Sequence, residues 1–119
     1  MTPDELKART KQFALRVMRV CEMLPKSRSG NVIANQLIRS ATSVGANYRS
    51  ACRARSDADF ISKIGITLEE ADESVYWMEL IVESGMKTEK QMSALIAEGK
   101  ELVAIFVASS NTAHKRLGR

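Results

Sequence analysis

Apolar positions recur along this chain at intervals of three and four residues, the period of an amphipathic helix, in four successive blocks. The first block is Leu6, Phe13, Val17, Val20 and Leu24. Ahead of it, Thr2-Pro3-Asp4-Glu5 combines an N-cap hydroxyl, a proline at the first helical position and a glutamate three residues after the cap. Pro25 ends the block, because proline lacks the N–H a helix interior needs. The pattern predicts a helix over 3–24.

A polar loop over 26–30 then leads to a helix over 31–54. Its apolar stripe is Ile33, Leu37, Ala41, Val44, Tyr48 and Ala51, and small side chains at Ala34, Ala41, Gly45 and Cys52 would let another helix approach closely. The third helix, over 57–84, is capped by Ser56 or Asp57 and stopped by Gly85. Its main stripe is Phe60, Ile61, Ile64, Leu68, Ala71, Val75, Met78 and Val82. Thr88-x-x-Gln91 reads as a capping box opening the fourth helix, over 89–113. Met92, Leu95, Ile96, Leu102, Val103, Phe106 and Val107 carry that helix onward, and a basic tail is expected to fray beyond it. Four helices joined by short loops predict an all-α, antiparallel up-down-up-down four-helix bundle, with residues 1–119 as a single domain.

The third helix carries a second set of positions: Ile66, Glu70, Glu73, Trp77, Leu80 and Ile81. On a helical wheel this set lies roughly 200° to 300° from Phe60. On a lone chain it would form an exposed apolar patch around the single tryptophan, and such patches mark interfaces. The expectation is a homo-oligomer that uses this flank. The alternative tucks Trp77 against a neighbouring helix of its own bundle.

Charge adds a register. No acidic residue occurs between Pro25 and Arg55, whereas the third helix holds eight carboxylates against Lys63 alone. Arg39 and Arg53 are therefore expected to pair with Glu70, Glu73 or Glu79, within a subunit or between subunits, and both join the expected interface. The formal net charge is +4, which permits a polyanionic partner without requiring one. Candidate phosphate contacts are Lys7, Lys11, Arg16 and Arg19 on the first helix, Arg49 and Arg55 near the end of the second, and Lys115, Arg116 and Arg119 in the tail. A solvated basic face is the alternative for each.

Composition narrows the rest. Hydrophobic content is 45%, charged content 27% and aromatic content 5%, ordinary for a globular helical chain. No apolar run reaches membrane-span length and no secretory signal is visible, so a cytoplasmic protein is expected. Cys21 and Cys52 lack metal-ligand spacing and lie at opposite ends of their hairpin; both read as small core residues. The only histidine, His114, cannot complete a di-iron carboxylate set. No nucleophile–base pair or phosphate-binding loop is present, so no enzyme, cofactor or small-molecule substrate is expected.

The stretch from Ile38 to Leu80, IRSATSVGANYRSACRARSDADFISKIGITLEEADESVYWMEL, resembles the bacterial four helix bundle proteins, also called the 23S rRNA intervening-sequence or S23 proteins. Arg39-Ser40-Ala41-Thr42-Ser43, Gly45-Ala46-Asn47-Tyr48, Glu70-Ala71-Asp72-Glu73 and Tyr76-Trp77-Met78-Glu79-Leu80 carry the likeness, with Ser56, Phe60 and Lys63. The resemblance implies a small up-down bundle assembled as a ring-like pentamer. It also implies a link to ribosomal RNA genes, or to a reverse transcriptase that some relatives accompany. The functional expectation is a non-enzymatic oligomeric adaptor that contacts RNA, DNA or a nucleic-acid enzyme. The alternative is a protein-only scaffold with no nucleic-acid binding.

Overall fold

Each helix begins where a hydroxyl side chain satisfies an amide that the first turn leaves open. Thr2, Ser27, Ser56 and Thr88 accept hydrogen bonds from the backbone N–H of Glu5, Gly30, Asp59 and Gln91. Each such cap stabilises its helix by about 1 kcal/mol. The computed structural model describes residues 1–118, in which four helices and no strand occur: α1 (Pro3–Glu22), α2 (Arg28–Ala51), α3 (Asp57–Glu83) and α4 (Glu89–Leu117). The capping box at α4 is complete, because the Gln91 side chain also accepts from the Thr88 N–H at 2.9 Å.

α3 stops at a Schellman turn. Gly85 takes φ +82°, the left-handed conformation that costs glycine little. The N–H of Met86 then donates to Ile81 O at 3.1 Å, and that of Gly85 to Val82 O at 3.0 Å.

α1 ends at Glu22 and α3 at Glu83, one or two residues short of the sequence expectation, and three other boundaries differ by more. α2 starts at Arg28, because Ser27 caps the helix where the polar stretch reads as loop. It ends at Ala51 rather than near residue 54, and Cys52 to Ala54 close it with tight backward hydrogen bonds. α4 continues to Leu117 instead of fraying after Ala113. Its last turn carries His114, Lys115 and Arg116, whose side chains suit the negative end of the helix dipole. Arg116 also donates from Nε to Asp57 Oδ1 at 3.3 Å, tying the end of α4 to the start of α3.

The helices pack in chain order around a ring, α1 on α2, α2 on α3 and α3 on α4, with a thinner α1–α4 contact closing it. The body measures 50 × 22 × 21 Å. Phe13, Leu37, Ile64, Met78, Leu102 and Phe106 are fully buried at its centre. Close approach is obtained with small side chains. A Cβ on Gly45 would lie 3.2 Å from Thr10 Oγ1 across the α1–α2 contact. The Ser74 and Ser40 hydroxyl oxygens lie 2.9 Å apart across the α2–α3 contact, both residues wholly buried.

The inner face of α3 is rotated from the expected stripe. Its buried positions are Ile64, Thr67, Ala71, Ser74, Val75, Met78 and Ile81, while Phe60, Ile61, Leu68 and Val82 are only half-buried. Thr67 and Ser74 read as polar in the sequence, yet they donate to Lys63 O at 2.9 Å and Glu70 O at 2.8 Å. Hydroxyls satisfied by their own helix can be buried at little cost.

Gly99 marks a close α3–α4 approach, since a Cβ there would meet Val75 Cγ2 at 2.9 Å and Met78 Cε at 3.1 Å. Gly99→Leu should therefore lower unfolding free energy by about 1–3 kcal/mol in a urea titration. Gly65 on α3 has nothing within 4 Å of its added Cβ. Gly65→Ala should raise stability by about 0.5–1 kcal/mol through helix propensity alone.

Candidate interaction surfaces

The flank of α3 that borders α2 is held by one arginine. Arg39, on α2, donates to both oxygens of Glu70, at 3.0 and 3.4 Å, and to Glu73. The Trp77 indole N–H donates to the same Glu73 carboxylate at 2.9 Å. These interactions hold the Glu73 carboxyl below the usual carboxylate range, first through Trp77 and then Arg39, against an opposing contribution from burial. The expected pairing of Arg39 with α3 thus occurs within one chain.

Arg53 does not share it. It lies in the turn beyond α2, exposed and without an ion pair among the described residues. Glu70 is 13 residues into α3, about 20 Å along the helix from that turn.

Around this network the expected flank divides. Ile66 is 45% exposed, Trp77 and Leu80 are half-buried, and Tyr76 beside Trp77 is 53% exposed, its ring edge-on to the indole. Ile81 is fully buried in its own bundle, so it is a core residue and not part of an outer face. It sits at the edge of the wheel sector nearest α2, and its carbonyl accepts from the Schellman turn.

A second clasp was not visible in the sequence. Arg9, which reads as an outward base of α1, makes a two-pronged bond to Glu98, at 2.7 and 2.7 Å, and reaches Glu101 at 2.8 Å. The carboxylates raise its already high pKa further. It closes the α1–α4 side of the ring. Glu98 and Glu101, one turn apart on α4, are the only trace of it in the sequence.

The candidate phosphate contacts do not form one patch. Lys7, Lys11 and Arg49 line one shallow hollow between α1 and α2, and Arg55 and Arg116 line a neighbouring hollow at the same end of the bundle. Lys115, also exposed, is at that end. Arg16 and Arg19 lie further along α1, away from these hollows. Arg119 lies outside the described residues.

The two thiols are not alike. Cys21 is buried and its pKa is pushed up to about 11, chiefly by burial. Cys52 is exposed beside Tyr48, contrary to the expectation of a core residue, because α2 ends just before it. No three His, Cys, Asp or Glu side chains converge as a metal site among the described residues, and no helix there is long and apolar enough to cross a membrane.

A sequence model of the 23S rRNA-intervening sequence protein family matches residues 5–108. The chain belongs to that family. Its fold is similar to the crystal structure of a protein of unknown function from the S23 ribosomal protein family of Bacteroides thetaiotaomicron. The two share 32% sequence identity and a TM-score of 0.84, over 93% of this chain and 99% of that one. Among curated proteins nothing matches.

Two measurements follow from this geometry. A depressed carboxyl contributes stability that is present above its ordinary value of 4.5 and is lost as pH falls through the lower folded value. Emission from Trp77, the only tryptophan, should step with a midpoint below pH 4.5, and Glu73→Gln should abolish the step. A step at or above that value, or one surviving in Glu73→Gln, would contradict the assignment. Under native conditions a thiol reagent should modify one cysteine per chain quickly, and Cys52→Ser should remove that reaction.

Proposed function

We propose that this protein is a non-enzymatic, self-assembling helical adaptor that contacts nucleic acid, or an enzyme acting on it, through one basic end. The observation that carries this reading is the division of the cations. Arg9 and Arg39 are committed to carboxylates of their own bundle, whereas Lys7, Lys11, Arg49 and Arg55 gather around hollows at one end. None of Lys11, Arg49 and Arg55 has an ion pair among the described residues. Cations left unneutralised on one surface can be offered to phosphates.

Self-assembly is supported by the outer flank of α3, where Ile66, Tyr76, Trp77 and Leu80 leave apolar surface in water. Patches of this kind are covered in stable assemblies. The ring-like pentamer implied by family resemblance is the assembly we propose. A protein-only scaffold is the second reading, favoured by the exposed carboxylates Glu69, Asp72 and Glu83 on α3, which would repel a polyanion laid along that side.

The test is a salt titration with RNA and with DNA. Binding should be strongest at low salt and should weaken steeply as salt rises, because phosphate contacts release counterions. No binding at low salt would favour the scaffold.

A further inference from the structure

Three hollows at the basic end of the bundle share walls. One of about 260 Å³, between α1 and α2, is lined by Lys7, Ala8, Lys11 and Arg49. Lys7 is also a wall of a second, of about 650 Å³, which Arg55, Phe60 and Arg116 border over a floor that includes Tyr48 and Cys52. Phe60 and Arg116 in turn border a third, of about 400 Å³, whose other walls are apolar or small α4 residues such as Ile105 and Ala108. Shared walls make the three one track that curves around the end of the molecule.

The charge along it is unbalanced. Five cations line the track against one carboxylate, Asp57. Asp57 receives the Arg116 Nε at 3.3 Å, which holds that guanidinium in place and leaves its terminal nitrogens for another acceptor. The nearest carboxylate to Lys7 is Asp4, at 3.9 Å and almost fully exposed.

The track also holds an aromatic surface. Phe60, in the first turn of α3, is half-buried and borders two of the hollows. An aromatic face between cations is the arrangement that takes an unpaired base, with its phosphates on either side. A duplex hides its base faces and resists bending around an end only 22 × 21 Å across.

We infer that this track binds a single-stranded nucleic acid, with phosphates on Lys11, Arg49, Lys7, Arg55 and Arg116 and a base stacked on Phe60. The inference rests on the proposed nucleic-acid role and narrows it to one end of the bundle and to unpaired strands. RNA and DNA offer the same phosphates and base faces, so both belong in the test. Cys52, in the floor of the middle hollow, supplies a reporter that requires no added group.

The experiment uses the full chain and a short labelled oligonucleotide of mixed sequence, as single-stranded RNA, single-stranded DNA and duplex. Either single strand should bind more tightly than the duplex. Five phosphate contacts should give a log–log salt slope of about −3.5, and Arg55→Ala should reduce its magnitude by about 0.7. Phe60→Leu keeps the apolar volume and removes the ring; it should weaken binding about five-fold or more. Unchanged circular dichroism shows that this variant folds. The bound strand should also slow alkylation of Cys52 by the uncharged reagent iodoacetamide. Strand binding that leaves Cys52 unprotected and ignores Phe60→Leu overturns the track, while the broader nucleic-acid role stands. Equal affinity for duplex, or equal competition by polyglutamate, also overturns it, because charge alone would then suffice. Failure of every nucleic acid to bind at low salt removes the broader role and the track together.

Discussion

Helix α3 carries apolar side chains on more of its circumference than α2 and α4 cover. Ile64, Ala71, Met78 and Ile81 are sealed between those neighbours, yet Ile66, Tyr76, Trp77 and Leu80 remain wholly or partly in water. Each fully covered large apolar side chain is worth roughly 1.5–3 kcal/mol, so leaving several uncovered forgoes stabilisation comparable with a small domain's net stability. That surplus bears on everything else in the molecule, because none of the four described helices covers it. A like chain presenting its own surface is the cover we propose.

Polar groups then decide how the outer flank can be used. Arg39 spans Glu70 and Glu73, and Glu73 also holds the indole of Trp77, so the ring is oriented by a charge network rather than by packing alone. Partly exposed pairs of this sort supply little affinity but fix register and orientation. The same logic applies at Arg9, whose forked bond to Glu98 closes the thin α1–α4 side. With Arg9 and Arg39 neutralised in this way, the cations left uncommitted include the group at the end where α2 stops and α3 starts. Burial, register and surface charge are thereby separated onto different parts of the same four helices.

Much of this is legible in the sequence. The spacing of Leu6, Phe13 and Val17, the Thr88-x-x-Gln91 box and Gly85 each report local physics, and each acts in the structure as its chemistry dictates. The Arg39 pairing was readable because opposite charges dominate consecutive helices. Some of the errors come from residues whose side chains have two uses; others, at Cys52 and Arg53, come from where α2 ends. Ser27 reads as loop but caps α2, and Thr67 and Ser74 fall outside the apolar stripe but bond to their own helix and go inside. That hidden pair of hydroxyls rotates the buried face of α3, which is why Ile81 is core and Phe60 reaches the surface. Arg9 with Glu98, and the meeting of Lys7, Arg55 and Arg116, join residues far apart in the chain, so no local spacing could announce them.

The uncovered flank of α3 is best tested by the mass of the particle in dilute solution, measured by light scattering over a range of protein concentrations. Cover by like chains predicts a stable whole-number multiple of the 13.2 kDa chain, five-fold for the proposed ring. A mass of one chain at every concentration would contradict it and leave Ile66 and Trp77 facing water without a partner of their own kind.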